Sequence, residues 1–202
     1  MEGSLADDIV ARAADNPRFM VAIAGPPAAG KSTLAGKLAD ELMIRCQKVA
    51  VISMDGFHYD DAVLKARGLS RRKGAPETFD FPGFRILLER LRNGEPDVAI
   101  PVFDRSMELS RAAAAIIDRD VRFIVVEGNY LLLDESPWDG LQAMFDLSIY
   151  LDVPRAELEN RLIERWRHHG RDENAARAWI DTNDLPNADR VSDRRRNADI
   201  IL

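Results

Sequence analysis

The run Gly25-Pro-Pro-Ala-Ala-Gly30-Lys31-Ser32-Thr33 constrains this chain more than any other part of it. It fits G-x-x-x-x-G-K-[ST], a loop whose backbone N–H groups turn inward around phosphate oxygens. Gly25 and Gly30 let the backbone wrap that closely, and Ala28 and Ala29 add small residues between them. A helix opening at Lys31 would aim its positive end at the same anion. Lys31 supplies a point charge for the β- and γ-phosphates, Ser32 a hydroxyl ligand for Mg²⁺, and Thr33 serves the α-phosphate side. The flanks agree with this reading. The apolar run Phe19–Ala24 precedes the loop, and Leu34, Leu38 and Leu42 recur at helical spacing after it. A strand, a glycine turn and an amphipathic helix in that order predict a nucleoside triphosphate site at the edge of a parallel sheet.

The rest of the chain supplies the other strands. Lys48–Met54, residues 121–127, residues 145–151 and Ala198–Leu202 are short apolar runs suited to buried parallel strands. Helical patterns lie between them, notably Phe84–Arg92 and Pro154–His169. A further helix begins at Ser4, in a capping-box-like start, and ends at Asn16-Pro17. Strands alternating with helices predict an α/β fold, a three-layer α/β/α sandwich on a mainly parallel sheet. No repeat or linker divides residues 1–202, so one domain is expected. Residues 56–82 are rich in Gly, Pro and charge and read as an insert over the sheet's edge. Phe79, Phe81 and Phe103 are expected in loops.

Two carboxylates stand at predicted strand ends, each followed by glycine: Asp55-Gly56 and Glu127-Gly128. Phosphoryl transfer needs one acid near Mg²⁺ and one to accept a proton from the attacking hydroxyl. Glu127 suits the metal and Asp55 the base. Asp80-Phe-Pro-Gly83 matches D-x-x-G, but it follows a polar stretch, and no N-K-x-D signature accompanies it. A GTPase is therefore not expected.

Acids outnumber bases 34 to 28, which argues against a nucleic-acid coat. The bases are concentrated, however. Residues 65–73 hold Lys65, Arg67, Arg71, Arg72 and Lys73, and residues 161–171 hold Arg161, Arg165, Arg167 and Arg171. The second group lies on a helix with an apolar stripe of Leu158, Leu162 and Trp166, as a lid over a triphosphate would. Arg194-Arg195-Arg196 reads as surface. His58, His168 and His169 lack metal-site spacing, and His58 is a pocket candidate. The single cysteine, Cys46, excludes an internal disulfide and fits a reducing compartment. No leader or membrane-spanning run is evident, so a cytoplasmic enzyme is expected, with a homodimer left open.

In order along the chain, GPPAAGKST, MDGFH, RRKGAPETFDFPGF, IPVFDRS and VVEGNYLLL resemble the P-loop kinases of the uridine kinase, pantothenate kinase and phosphoribulokinase family. Within that family the chain is most similar to bacterial proteins called fructose transport system kinases. The resemblance implies a five-stranded sheet with a helical lid over residues 155–175, ATP as donor, Mg²⁺, and a small hydroxyl-bearing acceptor. A sugar such as fructose comes first, with pantothenate, a nucleoside or glycerate as alternatives. A nucleotide-dependent regulatory switch is the rival class. By position, the resemblance implies that Asp55, Lys31 and Arg165 act in catalysis. Arg167, Arg171 and the segment from Asn183 to Ala188, with Asn187, join the loop around the nucleotide near the adenine, and Arg72, Lys73, Asp104, Arg105 and Tyr130 form the acceptor site, where His58 is also expected.

Overall fold

A computed structural model describes residues 4–45 and 47–202. The first three residues and Cys46 lie outside the described residues, and so does the reading of that cysteine as a reduced thiol. The chain opens with helix α1 (Leu5–Ala13), capped as expected: Asp7 N donates to Ser4 Oγ and Ser4 N donates to Asp7 Oδ2. Strand β1 (Phe19–Ala24) leads through the glycine loop into α2 (Lys31–Ile44) and then β2 (Val49–Ser53). The later sheet strands are β5 (Phe123–Gly128), β6 (Leu147–Tyr150) and β7 (Ile200–Ile201).

These five strands form one sheet in the order β2-β5-β1-β6-β7, and every pairing is parallel. The expected α/β architecture with a five-stranded sheet is therefore what the chain forms. Both faces are covered, and β1 shows how. Met20, Ala22 and Ala24 point into a core with α4 (Phe81–Arg92), while Phe19, Val21 and Ile23 pack toward α1 and α2. Alternate side chains of a strand leave opposite faces, so an unbroken apolar strand needs a layer on each side. Each fully buried leucine in these layers, such as Leu42 or Leu88, contributes about 1.5–3 kcal/mol.

Register places the chemistry-bearing positions side by side. Glu127 pairs in register with Ile23 on one side and Ser53 on the other. The glycine loop, the turn holding Asp55 and the end of β5 thus emerge at one edge of the sheet.

Several elements depart from expectation. Residues 98–117 form an antiparallel hairpin, β3 (Val98–Asp104) and β4 (Leu109–Ile117), which no pattern announced. Pro101 interrupts the first run, and Ala112–Ala115 have low strand preference and no alternation. Phe103 is therefore on a strand rather than in a loop, and Phe81 begins α4. Asp80 caps α4 by accepting from Gly83 N at 3.1 Å, which accounts for the D-x-x-G match in structural terms.

The insert contains α3 (Asp61–Ala66) and two short 3₁₀ turns, and it is closed at its base by a bridge between His58 and Phe79. At the other end of the chain come α5 (Arg155–His168), α6 (Glu173–Trp179), a π-helical turn (Ile180–Asp184) and α7 (Leu185–Asp193). Of the run expected at the surface, only Arg194 is exposed. Arg195 stacks on the Tyr150 ring at 4.1 Å, and Arg196 donates to the Leu131 carbonyl at 2.9 Å. Among the described residues, no helix is long and apolar enough to cross a membrane.

Candidate active site

A cavity of about 820 Å³ opens above the strand ends. Its floor is the β1–α2 turn, one wall is the insert with the β3–β4 hairpin, and the other is the α5–α7 segment. The turn is built as a cradle. Ala28 (φ 64°) and Gly30 (φ 98°) both adopt the left-handed conformation, which turns successive N–H groups toward one side. Gly30 can do so without strain, and Ala28 does so at a cost that the surrounding contacts offset. Pro27, Ala28, Gly30, Lys31, Ser32 and Thr33 line the cavity, whereas Gly25 and Ala29 form the loop's buried side.

Lys31 is buried and donates to the Pro26 carbonyl at 2.8 Å. Burial lowers its pKa to about 8, against the opposing pull of Glu127 and Asp55. A lysine in that state gains strongly from an arriving anion. Ser32 Oγ donates to Glu127 Oε1 at 3.2 Å, and Glu127 is itself buried. A hydroxyl and a carboxylate held together beside a phosphate cradle form a donor set suited to a hard divalent cation.

Asp55 sits in a 3₁₀ turn just past β2, where Asp55 N donates to Ser53 Oγ. Its carboxylate accepts from Arg105 Nη2 at 2.6 Å, a contact delivered by the hairpin. His58 packs between Phe79 and Phe103, with ring centroids 4.0 and 5.3 Å away, and its Nδ1 lies 3.0 Å from the Asp55 carbonyl oxygen. Burial lowers the pKa of His58 and favours the neutral ring. Lys73 lines the same end, with Nζ 2.8 Å from Asp61 Oδ1. Arg165 faces Asp55 and Arg105 across the cavity, and burial together with the Arg105 charge lowers its pKa. Asn187 is 2% exposed, lines the cavity, and has a buried Oδ1 without a partner.

Besides Gly25 and Ala29, four residues expected at the site do not line the cavity. Tyr130 is fully buried, and its hydroxyl donates to the Gly74 carbonyl at 2.6 Å, so it braces the insert from behind. Arg72 turns to Glu77 (3.4 Å). Asp104 accepts from Ser106 and Met107 N–H groups and shapes the hairpin turn. Arg167 is exposed on α5. Of the nine bases in the two concentrated segments, Lys65, Lys73, Arg165 and Arg171 line the cavity.

Other residues contribute to the site, Asn183 and Asp184 among them from the segment expected near the adenine. Arg161 pairs with Glu157, as their spacing suggests, but it also donates to the Ala28 and Ala29 carbonyls at 3.2 and 3.1 Å and so supports the loop. Asn183 Nδ2 donates to the Lys73 carbonyl at 2.7 Å, tying the π-helical turn to the insert. Trp166, Trp179 and Asp184 also line the cavity. The apolar stripe had pointed Trp166 only toward the core.

Known proteins share this fold and much of this sequence. A crystal structure described as a "putative fructose transport system kinase" from Silicibacter sp. TM1040 superposes with a TM-score of 0.93 at 42% identity, covering 98% of this chain and 97% of that one. The Escherichia coli protein YggC, described as uncharacterized, is 35% identical over 92% of this chain and 77% of its own length. A pantothenate kinase from Parvibaculum lavamentivorans is 34% identical over 79% of this chain, but the match spans only 51% of that relative. The family model described as "Phosphoribulokinase / Uridine kinase family" matches residues 20–202. That match takes in the glycine loop, both strand-end carboxylates and helices α5 to α7, and by it the chain belongs to the phosphoribulokinase/uridine kinase family and is a small-molecule kinase.

Proposed function

We propose that the chain transfers the γ-phosphoryl group of ATP to a hydroxyl of a small metabolite, with a sugar such as fructose as the first candidate acceptor. The observation that carries this is the meeting of Asp55 and Glu127, from neighbouring strand ends, with Lys31 and Ser32 in one cavity. In this reading Asp55 takes the proton of the attacking hydroxyl as the new P–O bond forms. The bond from the γ-phosphorus to the β–γ bridging oxygen breaks, and ADP leaves with that oxygen. Lys31, the amides around Ala28 to Thr33 and Arg165 bear on the charge that spreads over the phosphoryl oxygens. Ser32 and Glu127 would hold Mg²⁺, which supplies charge neutralisation on the triphosphate. His58, Lys73 and Arg105 border the acceptor, and Arg171 and Asn187 face the nucleotide from the lid side.

The name of the Silicibacter structure supports fructose as a first test. The name of the Parvibaculum relative supports pantothenate as the second. ADP formation should be followed with Mg²⁺ and ATP against fructose, pantothenate, uridine and glycerate, one at a time. Stimulation by one compound, with a stoichiometric phosphorylated product, is the expected result. ATP turnover that no acceptor raises would favour a regulatory switch instead.

A further inference from the structure

Arg171 is held in a corner of two indole rings. Its guanidinium carbon lies 4.2 Å from the Trp166 ring centre and 4.7 Å from that of Trp179, and the two rings meet nearly edge to face at 71°. Trp166 is anchored on two sides. Trp166 Nε1 donates to Asp184 Oδ2 at 2.6 Å, and its ring packs against the apolar cluster of Leu162, Ile180 and Leu185. Trp179 closes α6, the helix that follows the Gly170 turn.

The chemistry of this contact is selective. A guanidinium held over aromatic rings gains cation–π attraction and keeps N–H donors available to another partner. Among the described residues no carboxylate pairs with Arg171, whereas Arg161, Arg177 and Arg190 nearby are all paired. The side chain lines the cavity that holds the phosphate cradle. Among the described residues the Arg171 side chain makes no hydrogen bond, though the Asp184 carboxylate is near enough to feel its charge. An arginine held against two rings in this way is prepared for an anion, since rotamer freedom that binding would otherwise restrict is already lost.

We propose that Trp166 and Trp179 are positioning residues that set Arg171 in advance as a ligand for the terminal phosphate of the bound nucleotide. This rests on the kinase reading above. The two aromatic residues line the same cavity and act on the terminal phosphate through Arg171.

The test is a double-mutant cycle on nucleotide affinity, read by calorimetry with Mg²⁺ and the β,γ-imido analogue of ATP, and with ADP as the control. R171A should weaken the analogue about tenfold, the loss of a charge-assisted contact, while ADP changes by less than about twofold. W179L should weaken the analogue about three- to tenfold, and in the R171A background the same change should cost nothing further. W179F, which keeps a ring, should restore most of the affinity. An equal W179L loss with and without Arg171 would overturn the proposal, as would an R171A variant with wild-type affinity or a W179F as weak as W179L. A wild-type protein that binds neither nucleotide would instead overturn the kinase reading on which the proposal stands.

Discussion

Arg105 Nη2 lies 2.6 Å from Asp55 Oδ2, so the tip of the hairpin is fastened to the strand end that carries the proposed base. The pair is half open to solvent on the arginine side and is made by residues fifty positions apart. An acceptor hydroxyl that reaches Asp55 must share this carboxylate with Arg105. Asp55→Asn keeps the shape and removes the proton acceptor. We expect it to retain affinity for the imido analogue of ATP and to lose phosphoryl transfer by at least about 100-fold, the scale of general-base catalysis. A transfer rate near wild type would remove Asp55 from this role.

Lys31 gives a pH signature. Its pKa is lowered to about 8 in the folded protein, from an ordinary 10.5, so the unfolded chain holds this proton more tightly. Stability of the unliganded protein should therefore rise between pH 8 and 10.5 from this group, since the burial cost is full below 8 and relieved as the lysine neutralises. Affinity for the triphosphate should move the other way. It should fall by up to about tenfold per pH unit above pH 8, because the anion binds the charged lysine. Lys31→Met should abolish both dependences. Calorimetry and thermal melts across pH 7 to 10 provide the check, and a flat wild-type affinity would contradict it.

Tyr130 was expected to touch the acceptor and instead donates to Gly74 from within the core. Tyr130→Phe should cost about 1 kcal/mol of stability, the ordinary worth of one hydrogen bond. It should raise the acceptor KM, because the loosened Gly74 adjoins Lys73, and leave nucleotide affinity unchanged. A variant with unaltered melting temperature and a large loss in kcat would restore a direct role.

Gly56 admits no side chain. A Cβ there would stand 2.7 Å from the Pro101 carbonyl oxygen, a backbone atom of the hairpin. Gly56→Ala should destabilise the protein by about 1–3 kcal/mol, as overpacking does, and push the hairpin off Asp55. Denaturant unfolding measures the first effect and acceptor KM the second. An alanine variant as stable as wild type would show that the hairpin can shift freely.

The parts of the site that follow from local pattern were legible in the chain. A glycine loop between an apolar strand and an amphipathic helix carries its own geometry, and strand-end acids inherit their place from a parallel sheet. The five strands, the capped first helix and the positions of Lys31, Ser32, Asp55 and Glu127 were read in this way. The side-chain partners were not. Arg72 and Arg167 share their residue type with Arg105, Arg165 and Arg171, and nothing in their spacing separates those that line the cavity from those that do not.

Tertiary structure made that division. Whether an arginine lines a cavity or turns to a carboxylate depends on neighbours far away in sequence: Asp55 for Arg105, Trp166 and Trp179 for Arg171, Glu77 for Arg72. The hairpin escaped notice for the same reason, since the exposed, alanine-rich β4 is held by pairing with β3, whose Val98 and Ile100 reach the core, rather than by its own preference. The sequence by itself determined a phosphate-handling kinase fold, because the backbone conformations and burial it requires are local. Which side chains line the far end of the cavity, and which ones surround Arg171, was decided only when the insert, the hairpin and the last three helices packed around the strand ends.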